Sequence, residues 1–265
     1  MTSAIGKLIF WALVTCIGAF LLLPTLVIVP VSFTSASVID FPPAGWSLQW
    51  YRGLLSAPVW RDAIVTSANV AVCVAVAATV LGTFAAIGLH RSNAKHMMPV
   101  RVILLSPLVT PSIVLAIGFF FVFTKWGIAG EFLGLVVAHT VIALPFVVIS
   151  VSSALHALNP NWELAAKGLG SGPVRSFFRV VLPVIAPGVA AGVVFAFITS
   201  WDEVVAAIFL TNADLRTVPV EVWGQVRATL DPSIAAIGTI LIAVSVIGLG
   251  CIYLLQWRQN ETVGS

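Results

Sequence analysis

Six stretches of this chain are long and apolar enough to cross a lipid bilayer, and nothing else constrains its fold as strongly. They cover residues 8–33, 62–90, 99–123, 132–156, 183–210 and 234–257. A helix of about 20 apolar residues spans the hydrocarbon core. Backbone groups left unpaired in lipid are costly, so each stretch should be helical. A membrane barrel would instead show alternating strands of about ten residues, and no such pattern runs through the sequence. Composition excludes a water-soluble fold: 9% of the 265 residues are charged and 60% are hydrophobic, whereas soluble domains carry roughly 25% charged residues. The expected fold is an all-α membrane protein with six transmembrane helices in a single domain over 1–265.

The first stretch follows Lys7 and looks at first like a secretory leader. It is longer than the roughly 7–15 residues of a leader's apolar core, and no small-residue cleavage site follows, so it reads as an uncleaved span. Cys16, Cys73 and Cys251 stand alone inside apolar runs. Their spacing fits neither a disulfide framework nor a metal site. The basic residues are not interleaved with aromatics in a way that suggests a nucleic-acid partner.

Lys and Arg set the orientation. With the N-terminus inside, Lys7, Arg91, Lys95, Arg101, Lys167, Arg175, Arg179 and Arg258 face the cytosol, and Arg52, Arg61, Lys125, Arg216 and Arg227 face outside. That is eight of the thirteen against five. Asp40, Asp62, Glu131, Asp214, Glu221 and Asp231 dilute the outer set, so both termini are expected in the cytosol. In the first outer loop, Trp46, Trp50 and Tyr51 suit the membrane interface. Asp231-Pro232 reads as the start of the last helix.

The longest cytoplasmic loop, about 158–182, is the most structured polar segment. Asn159 can cap a helix and Pro160 suits its first turn. Glu163 then falls where the helix dipole favours an anion. Gly168 and Gly170 should close the helix, since glycine tolerates left-handed backbone. Gly172-Pro173 starts a second helix with Arg175 and Arg179 on one face. Phe177 and Phe178 should anchor it against the spans, and Leu182-Pro183 should break the chain where it re-enters the membrane.

This loop resembles the E-A-A-x-x-x-G signature of binding-protein-dependent ABC importer permeases, followed by Leu-Pro at the usual distance. Ala165, Ala166, Gly170, Leu182, Pro183 and Pro187 match. Ser106-Pro-Leu-Val-Thr-Pro111 resembles the family's third span, and Ala138-His139 with Pro145-Phe146 its fourth. The signature glutamate aligns with Leu164, while Glu163 matches the acidic residue often found just before it. The resemblance covers nearly the whole chain. It implies a type I importer permease of the bacterial inner membrane whose loop helix docks on a cytosolic ATPase. Glu163, Leu164, Ala165, Ala166, Lys167, Gly168, Gly170 and Arg175 would form the ATPase-coupling surface. The implied partners are a second permease, two ATPase subunits and an extracytoplasmic solute-binding protein, with membrane lipid around the spans. ATP and magnesium would sit on the ATPase, with no cofactor bound by this chain.

Asp202-Glu203 lies in the fifth stretch, beyond the bilayer midplane. Charges inside a span are expensive and face a cavity or a partner. Thr199, one turn earlier, is in reach of either acid, and Trp201 is an aromatic able to stack on a cation. The surrounding pattern, Phe197-Ile-Thr-Ser-Trp-Asp-Glu203, resembles the polyamine-type branch of the family. The chain length resembles the second, smaller permease of spermidine/putrescine systems. Thr199, Trp201, Asp202 and Glu203 are therefore candidates for a cation pathway. The same acids would equally serve to hold the partner permease, and iron and opine importers resemble the sequence too. His139 reads as a hydrogen-bonded packing residue, and Pro107, Pro111 and Pro145 as kinks.

The chain has no Gly-Lys-Ser/Thr phosphate loop, so it is not expected to hydrolyse ATP. It shows no nucleophile–base pair and no metal-ligand cluster, so it is not read as an enzyme. The competing class is an ATP-independent channel or secondary transporter, which would have no use for a glycine-closed cytoplasmic helix.

Overall fold

The computed structural model describes residues 4–92 and 94–263 and is built from helices. In chain order they are α1 (Ala4–Ser32), α2 (Gln49–Ser56), α3 (Pro58–Arg91), α4 (Ala94–Val109), α5 (Ser112–Trp126), α6 (Phe132–Leu155) and α7 (Pro160–Gly168). There follow α8 (Pro173–Ser176), a π-helical turn (Phe177–Val181), α9 (Leu182–Trp201), α10 (Val205–Leu210), α11 (Val218–Ala228) and α12 (Ser233–Val263). Among the described residues, β pairing is limited to one bridge, Thr34 to Trp46. Five helical segments are long and apolar enough to cross a membrane, and a sixth span results if the bent pair α4–α5 is counted as one.

Two spans differ from their sequence pattern. The third is broken, its halves α4 and α5 meeting at 107°. Pro111 precedes α5 without a donor N–H, and its ring excludes helical geometry at Thr110, so the bend falls at this pair. Sequence alone suggested a kink here, and the structure makes a corner. The fifth span begins earlier and ends earlier than its apolar run. Helical segments α8, the π turn and α9 form one candidate span, Pro173–Trp201. The chain therefore does not break at Leu182-Pro183. The Leu182 N–H bonds back to the Phe177 carbonyl, five residues away. This wider turn lies just before Pro183, where the helix must do without a proline N–H and make room for the ring. The span then stops at Trp201, and residues 202–204 separate it from α10.

The described chain falls into two compact units. The first comprises residues 4–61 and 221–244. Its outer loop folds back on the end of α1. The Trp50 indole donates to the Thr34 carbonyl at 3.0 Å, and the Ser32 and Tyr51 hydroxyls lie 2.6 Å apart. Trp46 stays exposed, as an interface residue should. Asp231 accepts from the Ser233 N–H at 2.8 Å and so caps α12, as its position before Pro232 suggested.

The second unit comprises residues 62–220 and 245–263. Its core is formed by small and β-branched side chains of α3 (Val70, Val74, Ala78), α6 (Ala143, Val147, Val151) and α9 (Ile185, Ala196). Lipid offers no hydrophobic force to drive helices together, so close packing must do it. Gly188 and Gly192, one turn apart on α9, let the backbone press against α6. A Cβ at Gly188 would lie 2.5 Å from Ala154 Cβ and 2.7 Å from the Ser150 carbonyl oxygen. At Gly192 it would lie 3.1 Å from Val147 Cγ1. Outward faces carry large exposed apolar side chains such as Phe84, Ile103 and Phe121, as a bilayer solvent requires.

Candidate functional site

Two places in the second unit carry the polar chemistry. The first is the helix α7 and its flanks. Asn159 caps it, its side-chain oxygen accepting from the Asn161 N–H at 2.9 Å, with Pro160 in the first turn. At the other end the Ser171 N–H bonds to the Ala166 carbonyl at 3.0 Å, and the Gly170 N–H to the Lys167 carbonyl at 2.9 Å. That pair of bonds is a Schellman closure, which places the left-handed residue at Gly170. Gly170 indeed has φ +78°, whereas Gly168 is an ordinary last helical residue. Of the two glycines, only Gly170 makes the turn.

The side chains of α7 separate into two sets. Leu164, where the signature acid would stand, is 61% exposed, and Leu169 just beyond the helix is 90% exposed. Ala165, Lys167, Gly168 and Arg175 are also exposed, and Ala166 is half-buried. Glu163 turns the other way. Both of its carboxylate oxygens accept from Arg91 Nη2, at 3.0 and 3.3 Å, with the acid largely covered. Arg91 ends α3, 72 residues earlier, and the sequence pattern gives no sign of the pairing. Beside α7 and the end of α3 is a cavity of about 420 Å³ whose lining includes His90, Arg91, Glu163, Leu164, Lys167 and Ser176. Phe177 stacks on Phe84 of α3, with centroids 6.4 Å apart, while Phe178 stays exposed, so one of the two expected aromatic anchors engages the spans.

The second place is a cavity of about 420 Å³ where the two helix breaks meet. The α4–α5 corner contributes Pro107, Thr110 and Ser112, and the end of α9 contributes Thr199, Asp202 and Glu203. Ending the helix at Trp201 frees the acids from an unbroken helical register. Asp202 is exposed. Glu203 is half-buried, and its Oε1 accepts from the Ala206 N–H at 2.7 Å, so it caps the start of α10. Thr199 lines the cavity with both acids, as its spacing suggested. Trp201 does not. It is 5% exposed and stacks on Phe197 with centroids 5.9 Å apart, inside the helix packing. The Thr110 and Ser112 hydroxyls are the lining groups that the sequence reading passed over, and their signal was a polar gap on either side of Pro111. His139 is 1% exposed, its Nδ1 lying 3.0 Å from Ser200 Oγ, which is the packing role its position suggested.

Apolar spans, a capped loop helix with exposed leucines beside it, and a cavity holding two acids between broken helices fit a multi-span membrane permease. The chain belongs to the family described as the binding-protein-dependent transport system inner membrane component, whose model matches residues 78–259. It is therefore an inner-membrane permease of a binding-protein-dependent ABC importer. It is 32% identical over 257 residues to the putrescine transport system permease protein PotI of Escherichia coli (strain K12), covering 92% of this chain and 89% of that one. It is 31% identical over 243 residues to the spermidine/putrescine transport system permease protein PotC of the same strain, covering 92% of each. Among solved structures it resembles a chain of a bacterial ABC transporter involved in the import of the acidic polysaccharide alginate. That match has a TM-score of 0.68 at 15% identity, covers 96% of both chains and speaks to the fold alone.

Proposed function

We propose that this chain is one of two different permeases in an ATP-driven importer for a polyamine or a related cationic amine. A separate extracytoplasmic protein would deliver the solute, and two ATPase subunits carrying ATP and magnesium would drive the cycle. Both termini would lie in the cytosol, with α7 facing the ATPase. Leu164, Ala165, Ala166, Lys167, Gly168, Gly170 and Arg175 are assigned to that coupling surface, and Glu163, the remaining candidate, to the ion pair with Arg91 behind it. Asp202, Glu203 and Thr199 are assigned to the solute path, and Trp201 to the packing behind it.

The observation that carries the solute reading is the pair of acids in the largely apolar cavity at the two helix breaks. Its polar groups are two carboxylates and three hydroxyls, and no cationic side chain is among its lining residues. An ammonium group offers donors only, and this lining offers it acceptors and negative charge. At an effective dielectric of about 20, a carboxylate roughly 4 Å from an ammonium contributes about 4 kcal/mol before desolvation is counted. The relatives that transport putrescine and spermidine support the same reading. Within the pair, Glu203 is already engaged at the start of α10, so Asp202 is the acid more available to solute.

Uptake of labelled putrescine and spermidine by cells expressing the complete system tests this. Asp202→Asn is expected to slow uptake at least about tenfold, the cost of a single unit of differential charge interaction at the path, with complex yield near normal. Glu203→Gln retains a side-chain oxygen for the Ala206 N–H and should cost less. Normal amine uptake by the Asp202 variant would remove this acid from the path, and loss of complex yield would assign it to the partner permease instead.

A further inference from the structure

We infer that Arg91 is a positioning residue for coupling: its ion pair with Glu163 ties α7 to the end of α3, so that displacement of the loop helix is delivered to a core span. The inference rests on the reading of α7 as the ATPase-facing helix and goes further in naming the strut behind it.

Helix α7 is short, and it packs on α8 and the π turn at the start of the fifth span. Toward the end of α3 a cavity of about 420 Å³ has both Arg91 and Glu163 in its lining, and their contact links the two elements there. A push on α7 reaches the fifth span through α8 and the π turn, and it reaches α3 only if something bridges the cavity on that side. Glu163 has another cation in reach of its own helix turn, Lys167 at i+4, which lines the same cavity. A bond to Lys167 would close within α7 and link it to nothing. The acid instead meets Arg91, whose planar guanidinium holds a fixed geometry better than an ammonium does. Arg91 ends the helix whose Val70, Val74 and Ala78 pack in the core with α6 and α9. The acid stands about 100° round the helix from the exposed Leu164, so α7 keeps an apolar side chain uncovered while its carboxylate is tied to α3.

The energetic claim is modest in kind. Partly exposed ion pairs add little to folding stability. What the pair supplies here is a defined distance between α7 and the end of α3. The appropriate readout is therefore coupling efficiency, not stability.

The experiment uses the complete importer in proteoliposomes, with both permeases, the ATPase and the binding protein, and measures amine imported per ATP hydrolysed. Arg91→Ala is expected to lower that ratio about fivefold, the low end of ordinary coupling energies. The exchange Arg91→Glu with Glu163→Arg, which restores the pair with opposite polarity, should recover most of the loss. A ratio equal to the parent's in Arg91→Ala overturns the inference, as does an exchange variant no better than the single one. Should Arg91→Ala fail to assemble, Arg91→Lys and the exchange variant carry the same comparison. An Ala166→Asp control separates this from the underlying reading. If that change leaves import fully coupled, α7 is not the docking helix at all. If it abolishes import while Arg91→Ala behaves as the parent, only the strut is wrong.

Discussion

At the scale of single residues, the loop signature is a set of backbone requirements, and Gly170 meets the strictest. Its φ of +78° lies where a Cβ clashes with the following carbonyl, which costs on the order of 1–2 kcal/mol for a non-glycine residue and more for a branched one. No neighbouring heavy atom would touch a side chain there, so backbone strain is the only obstacle. Gly170→Val should therefore leave the spans assembled and alter the angle at which α7 leaves the Schellman turn. The expected outcome is membrane levels near the parent's with amine import lost or nearly so; Gly168→Ala, at an ordinary helical position, should be tolerated. Equal activity in both variants would show that the turn does not position the helix. The cap at Asn159 and the closing glycine were legible in the sequence because both are local and follow from side-chain chemistry. Which glycine turns was not, since Gly168 and Gly170 carry the same signal and the hydrogen-bond register decides between them. The partner of Glu163 was illegible for another reason: it comes from 72 residues away.

Apolar composition exposes the spans at the scale of elements, but it cannot show where they break. The fifth apolar run continues smoothly from α9 through α10, because both sides of residues 202–204 are equally greasy. Asp202 and Glu203 marked the place, yet a charge in a span is equally consistent with an unbroken helix facing a cavity. Pro111 announced a bend, and its neighbours decided that the bend would be 107°. Conversely, Pro183 announced a break that the preceding π turn removes. The close approach of α9 to α6 rests on Gly188 and Gly192, a spacing the sequence reading passed over, and it shows in the space each lacks. Gly188→Val should separate the helices, since its Cβ would meet both the Ala154 side chain and the Ser150 backbone. Overpacking of this kind costs typically 1–3 kcal/mol, or about that much here. A drop in the detergent midpoint of thermal unfolding and in complex yield is expected, whereas Gly250→Ala, with open space around it, should be neutral. Unchanged melting in the Gly188 variant would mean that α6 and α9 do not pack as closely as described.

On the scale of the whole molecule, the chain holds two features that bear on its class of transporter. It offers a polar cavity at two helix breaks and an exposed apolar rim on α7, and its sequence carries no phosphate-binding loop of its own. A secondary transporter would use discontinuous helices around its site in a similar way, so the cavity alone does not separate the two classes. The loop helix does, because a capped nine-residue helix with Leu164 exposed on it and Leu169 exposed just beyond it fits a surface that another protein covers. Two measurements follow from that distinction. Reporters fused after Lys167 and after Arg216 should read cytoplasmic and external respectively, because the basic residues favour that sidedness. In membrane vesicles holding the full system, amine uptake should require ATP and the binding protein, and should stop when the ATPase is omitted although an ion gradient is maintained. Uptake that persists on the gradient alone would place the chain with ATP-independent carriers and leave the exposed leucines of α7 without a purpose. A reporter reading external after Lys167 would set α7 on the side of the membrane where no ATP is available, and the coupling assignment would fall with it.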